Sequence, residues 1–232
     1  AIPEMFMLDS KLKPILVAGV PPDFFSETGQ LWGNPVYNWE YHKKTNFSWW
    51  KERVDYNLEL ADILRIDHFR GLAAYWAVKF GSETAIDGEW LPAPGDALFR
   101  SLTMKKETLP IIAEDLGLIT PDVVELREKY SLPGMKILMF GFDKAEENPF
   151  LPHLYEKASV VYTGTHDNDT VMGWYSSIDN EDKQKFHTYS GCDKDDIHWQ
   201  MIRMAMASVA DIAVTPLQDV LGLGNEARMN VP

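Results

Sequence analysis

The chain has one cysteine in 232 residues, Cys192, so neither an internal disulfide nor a cysteine-based metal cluster can be built from it. A reducing compartment is the simplest fit, and a cytoplasmic location is expected, or a plastid one for a plant-type source. No run reaches the ~18–20 apolar residues of a membrane helix. The opening residues, Ala1 to Leu8, lack the basic and apolar regions of a signal peptide. Positive charge is scarce too: 22 Lys and Arg face 35 Asp and Glu, a formal net charge of -13. That balance disfavours nucleic-acid backbones and anionic membranes as partners and suits a neutral substrate. Neither a G-x-G-x-x-G turn nor a Walker lysine motif occurs, which removes the usual sequence signs of nucleotide binding. No tandem repeat or low-complexity tract is present.

Aromatic residues are plentiful, and eight are Trp. Trp32, Trp39, Trp49, Trp50, Trp90 and Trp174 sit among polar and turn residues. Flat rings beside amides and carboxylates are what a sugar site uses, because pyranose C–H faces stack on rings while hydroxyls need hydrogen bonds. For any single Trp, packing competes with that role.

Residues 1–50 read as irregular: Pro21-Pro22, Gly29, Gly33 and Pro35 punctuate them and no clean period persists. After that, short apolar runs alternate with amphipathic stretches. Strands are expected at Ala61–Ile66, Leu109–Ala113, Met135–Phe140, Ser159–Tyr162 and Asp211–Val214. Helices are expected at Lys51–Leu60, Asp96–Lys105, from Thr120-Pro121 onward, and at Asp193–Val209, with Met201, Met204 and Met206 filling a core. Asp193, Asp195 and Asp196 read as a charge cluster at that last helix's start. Their spacing is wrong for an EF-hand, so no metal is expected. Strands separated by helices imply a parallel sheet, either doubly wound or a (β/α)8 barrel.

The strand ends favour the barrel. Asp67 follows the first strand, Glu114 and Asp115 the second, Asp167 and Asp169 the fourth, and Asp219 the last. Barrel enzymes gather catalytic groups from the C-terminal ends of several strands. Three carboxylates without a metal cluster point to glycoside chemistry, in which two acids work opposite sides of one bond. One must be ionised. Arg65 lies two residues before Asp67 on the same strand face and can hold it as a ready nucleophile. The other must hold a proton. Glu114 has its nearest basic neighbour, Lys106, eight positions upstream and is the better candidate for a raised pKa.

At these residues the chain resembles the amylomaltase family of 4-α-glucanotransferases, in the α-amylase clan. Arg65-Ile66-Asp67-His68-Phe69-Arg70-Gly71 resembles its nucleophile segment, Ala113-Glu114-Asp115-Leu116-Gly117 its acid/base segment, and Thr165-His166-Asp167-Asn168 its third-carboxylate segment. Val17 to Ser26 and Thr28 to Pro35 resemble the loop that arches over its active site. Pro133-Gly134-Met135, Pro216 to Asp219 and Asn225 to Asn230 match as well. Each short segment is weakly specific; their order and combination are highly specific.

The resemblance implies a retaining transfer of α-1,4-glucan segments, without cofactor, from a covalent glucosyl-enzyme to the 4-hydroxyl of an acceptor. Asp67 would be the nucleophile, Glu114 the acid/base, and Asp167 with His166 would grip sugar hydroxyls. Substrate contacts are also expected from Arg65, His68, Asp23, Phe24, Phe25, Trp32, Asn34 and Gln218, with Phe24, Phe25 and Trp32 as acceptor platform and water shield. The five strands correspond to about strands 4 to 8 of the family barrel. Residues 1–232 are therefore expected to be a partial catalytic barrel with 1–50 an active-site loop region, needing missing upstream strands for a complete fold and for activity. A hydrolase of the same clan and a non-catalytic glucan-binding fragment are the alternatives.

Overall fold

In the computed structural model, residues 2–22, 26–104, 108–143, 148–191 and 196–230 are described. The chain divides into two compact units, residues 1–132 and 133–232.

The first unit holds β1 (Leu16–Val20), β2 (Gln30–Pro35), α1 (Trp39–Lys44), α2 (Ser48–Leu60), β3 (Leu64–Ile66), β4 (Ala74–Lys79), β5 (Gly88–Pro92), α3 (Gly95–Thr103), β6 (Ile111–Ala113) and α4 (Pro121–Lys129). Residues 1–50 are therefore not irregular. They supply two strands of an antiparallel sheet ordered β2-β1-β4-β5. On β1, Val17 and Gly19 turn inward, and Val17 packs with Val78 and Ala85. β2 is exposed along nearly all its length, so no alternation of apolar and polar residues marks it. The β4–β5 hairpin is tied by Trp76 opposite Trp90, rings 5.4 Å apart.

The second sheet of this unit pairs β3 with β6 in parallel, in the register Leu64↔Ile111, Arg65↔Ile112, Ile66↔Ala113. β3 is shorter than the apolar run around it, because α2 extends to Leu60 and Ala61 caps it. Helices α2 and α3 close over the pair. Trp50 and Val54 from α2, and Leu98, Phe99 and Leu102 from α3, share one core with Phe69 and Ile111. Trp39 and Trp50 belong to this core, 8% and 9% exposed, and both also border a cleft of this unit. Phe69 and Phe99 are fully buried, and truncating either to Ala costs about 3–5 kcal/mol on general grounds. Thr120 opens α4 with extended backbone, as Thr-Pro predicts, but its side chain makes no capping bond. Its hydroxyl accepts a hydrogen bond from Arg70 Nη2 at 3.0 Å instead.

The second unit holds β7 (Gly134–Ile137), β8 (Ser159–Tyr162), α5 (Val171–Ser177), α6 (Asn180–Ser190), α7 (Ile197–Met206), β9 (Ile212–Val214) and α8 (Leu217–Val220). Its strands form a parallel sheet ordered β7-β8-β9. The expected strand to Phe140 stops at Ile137, where its partner ends: Ile137 pairs with Tyr162, the last residue of β8. Residues Leu138–Phe142 then wind into a 3-10 turn. Met201 is fully buried on α7, but Met206 is largely exposed and fills no core. Of the acidic cluster before α7, Asp193 and Asp195 lie outside the described residues. Asp196 caps the helix in left-handed backbone without a side-chain capping bond. No helix among the described residues is long and apolar enough to cross a membrane.

Candidate active site

The β3/β6 register decides where the first two acids lie. Ile66 faces Ala113 on the last paired rung, and the ladder runs on: Glu114 N–H donates to Ile66 O at 3.0 Å and Phe69 N–H to Glu114 O at 3.0 Å. Asp67 and Glu114 thus emerge from the same C-terminal end of two hydrogen-bonded strands. A shift of one residue would send one of them to the opposite face.

Asp67 is open to solvent, its side chain 75% exposed, and Arg65 Nη2 meets its Oδ1 at 2.6 Å. The same-face pairing expected from strand alternation is thus observed. Glu114 is partly buried. Its Oε2 accepts from His68 N–H at 2.6 Å and its Oε1 from Leu116 N–H at 2.9 Å. Burial raises its pKa, and the Asp67 charge raises it further, against the two amides and Arg65. One carboxylate is therefore ion-paired and exposed while its neighbour holds a proton more tightly than an ordinary glutamic acid, a difference in the direction glycoside chemistry needs. The contribution of the Leu116 amide carries no sequence signal, because any residue supplies an N–H.

His68 stands between these acids with left-handed backbone, φ 46°. Burial lowers its pKa and Arg70 lowers it further, against Asp67, so the imidazole tends to the neutral form. The Trp32 ring meets His68 edge to face, centroids 4.7 Å apart. Trp32, Asn34, Arg65, Asp67 and His68 share the lining of one cleft of about 410 Å³. Tyr37, Arg53, Asn57 and Tyr75 also line it and were not anticipated. Arg53 and Asn57 lie one helical turn apart on α2, a spacing that marks one face, but nothing in the sequence said which face meets a cleft. Glu114 is not among the lining residues. It is tied to that wall through the His68 amide. Asp23, Phe24 and Phe25 lie outside the described residues.

The second unit carries the third acid segment on the loop after β8. His166 Nε2 lies 3.3 Å from Asp167 Oδ2, and both side chains are more than half exposed. Asn168 Oδ1 accepts from Thr165 N–H and Thr165 Oγ1, each at 2.8 Å, closing the loop locally. Gln218 donates through Nε2 to Ala227 O at 3.2 Å, so that amide serves the protein's own backbone. Asp219 is fully buried. It accepts from Thr163 Oγ1 at 2.6 Å and Val171 N–H at 2.7 Å, which ties the residue just after β8 to α5 and α8. Among the described residues no group of three or more His, Cys, Asp and Glu could hold a metal ion.

Comparison with known proteins decides the family. The 4-alpha-glucanotransferase family profile matches residues 1–232. The chain belongs to this family. A 4-alpha-glucanotransferase of Synechocystis sp. is 54% identical over 236 residues, covering 100% of this chain and 47% of the relative. A 4-alpha-glucanotransferase of Thermus thermophilus is 49% identical, with 100% and 48% covered. Among solved structures, amylomaltase from Streptococcus agalactiae in complex with acarbose superposes with a TM-score of 0.95 at 41% identity, covering 100% of this chain and 47% of that one. The chain thus spans about half the length of the 4-alpha-glucanotransferases it matches.

Proposed function

We propose that this chain carries the bond-breaking groups of a 4-α-glucanotransferase acting on α-1,4-glucans such as maltodextrins by retaining double displacement. The reading rests above all on one observation: an ion-paired, exposed Asp67 beside a Glu114 whose pKa is raised, on adjacent parallel strands.

In the first step an Asp67 carboxylate oxygen attacks the anomeric carbon. The bond from that carbon to the bridging oxygen breaks, and Glu114 gives its proton to the departing 4-oxygen. A covalent glucosyl ester remains on Asp67 and Glu114 is left as a carboxylate. In the second step Glu114 takes the proton from an acceptor 4-hydroxyl, whose oxygen bonds the anomeric carbon and frees Asp67. Two inversions leave the configuration retained. Arg65 orients the nucleophile, and a carboxyl separation of about 5–5.5 Å belongs to this geometry. Asp167 and His166 hold hydroxyls of the sugar on the donor side. Trp32, over the cleft wall, serves the acceptor and helps exclude water, whose bulk concentration only a bound acceptor can outcompete.

The same proposal takes the two parallel sheets as about strands 4 to 8 of a (β/α)8 barrel completed by strands outside these 232 residues, in a cytoplasmic or plastid enzyme. The match to about half of amylomaltase at TM-score 0.95 supports it. The test is product analysis with maltotriose, using the full protein and its Asp67→Asn and Glu114→Gln variants. Longer maltooligosaccharides from the parent and a loss of at least about 10³-fold in each variant are expected. Glucose and maltose without longer products would make it a hydrolase. Unchanged turnover in either variant overturns the assignment.

A further inference from the structure

The motif Asn225 to Asn230 has no part in the mechanism above, yet its side chains converge on the third acid segment. Asn225 Oδ1 accepts from Thr170 N–H at 3.1 Å. Arg228 Nη1 lies 2.8 Å from Asp169 Oδ1, in a mostly buried pair, and Nη2 reaches Asp167 O at 3.4 Å. Asn230 Nδ2 donates to His166 O at 3.2 Å and to Asp167 Oδ1 at 3.1 Å. Three side chains of one short segment therefore touch loop positions 166, 167, 169 and 170.

The consequence falls on one carboxylate. Asp167 sits on an exposed loop, where a short acid would ordinarily sample several rotamers. Here its Oδ1 is held by Asn230 and its Oδ2 by His166. The backbone under it is fixed twice, by Arg228 through Asp169 and by Asn225 through Thr170. Hydroxyl-gripping groups must be held to within about 0.5 Å of their working geometry, and a loop acid reaches that only when its neighbours lock it.

We propose that Asn225, Arg228 and Asn230 form a strap whose work is to position Asp167, with Asn230 setting the carboxylate rotamer and Arg228 the loop. The strap acts through Asp167, so this inference rests on the proposed role of Asp167 in holding the donor-side sugar.

The test is steady-state kinetics on maltotriose with the full protein and four variants: Asn230→Ala, Arg228→Lys, Asp167→Asn and the Asn230→Ala/Asp167→Asn pair, each with its melting temperature. Asn230→Ala should lower kcat by about tenfold or more while KM moves less than about threefold, as expected when distortion is gripped only in the transition state. Its melting temperature should stay within about 2 °C, since an exposed surface bond contributes little to stability. Arg228→Lys, which keeps the charge beside Asp169 but not the fork, should retain more activity than Asn230→Ala. The double variant should be no slower than Asp167→Asn alone. A near-parental kcat in Asn230→Ala beside a disabled Asp167→Asn would remove the strap and leave the function standing. So would losses that multiply in the double variant. Full activity in Asp167→Asn would remove the role of Asp167 itself, and the strap with it.

Discussion

A carboxyl that is easier to protonate in the fold than in the unfolded chain is a liability at neutral pH, and Glu114 is one. Burial and Asp67 raise its pKa above the ordinary value of 4.5. The native state therefore binds this proton more tightly than the unfolded state does. Stability from this group is fully present below the unfolded value and is lost as pH rises through the folded one. Glu114→Gln removes the titration. The stability of the parent relative to this variant should fall as pH goes from about 4 to about 8, and chemical denaturation at several pH values will read it. A constant difference across that range would show Glu114 to be unperturbed. The ion pair of Asp67 and the raised pKa of Glu114 were legible because each follows from neighbours in sequence: Arg65 sits two residues before Asp67, and no basic residue lies near Glu114 along the chain. The two amides that hold Glu114 were not legible. Backbone donors are the same in every residue, and only the left-handed turn at His68 aims one of them.

Among elements, burial on both faces is what made strands readable. Ser159–Tyr162 is an apolar run covered on both sides, and its sequence limits are its structural limits. β2 lies exposed and β5 alternates only weakly, so neither shows the pattern that apolar burial would leave in the sequence. The antiparallel sheet of β2-β1-β4-β5 was missed for that reason, although it supplies Trp32 and Asn34 to the cleft. Helix contacts also depend on what side chains a neighbour can spare. On α5, a Cβ placed at Gly173 would overlap the Asn225 side-chain amide, the same amide that accepts from Thr170 N–H. Gly173→Ala should displace Asn225, leave the Thr170 N–H unpaired and cost about 1–3 kcal/mol, measurable by denaturant melting. If the strap positions Asp167, kcat falls with it. Asn225→Ala should reproduce the kcat loss without the overlap.

For the chain as a whole, formal charge is the property the sequence states most directly, and the fold adjusts it only through shifts such as those at Glu114 and His68. The net charge of -13 creates a field that a neutral glucan does not feel. Under the proposed function, recognition of such a glucan would come from short-range contacts: the Trp32 ring, the Asn34 amide and the Arg65–Asp67 pair, which is in direct contact and depends little on screening over a Debye length. The kcat/KM for maltotriose should therefore change by less than about twofold between about 20 and 500 mM salt, a range in which the Debye length falls from roughly 20 Å to 4 Å. A phosphorylated maltooligosaccharide should behave differently. Its dianion is repelled at low salt, and its kcat/KM should rise several-fold as salt screens the acidic surface. Measuring both substrates across one salt series separates the two cases. A steep fall for maltotriose would mean that a charged group on the protein must be found by long-range attraction, and no neutral sugar offers one.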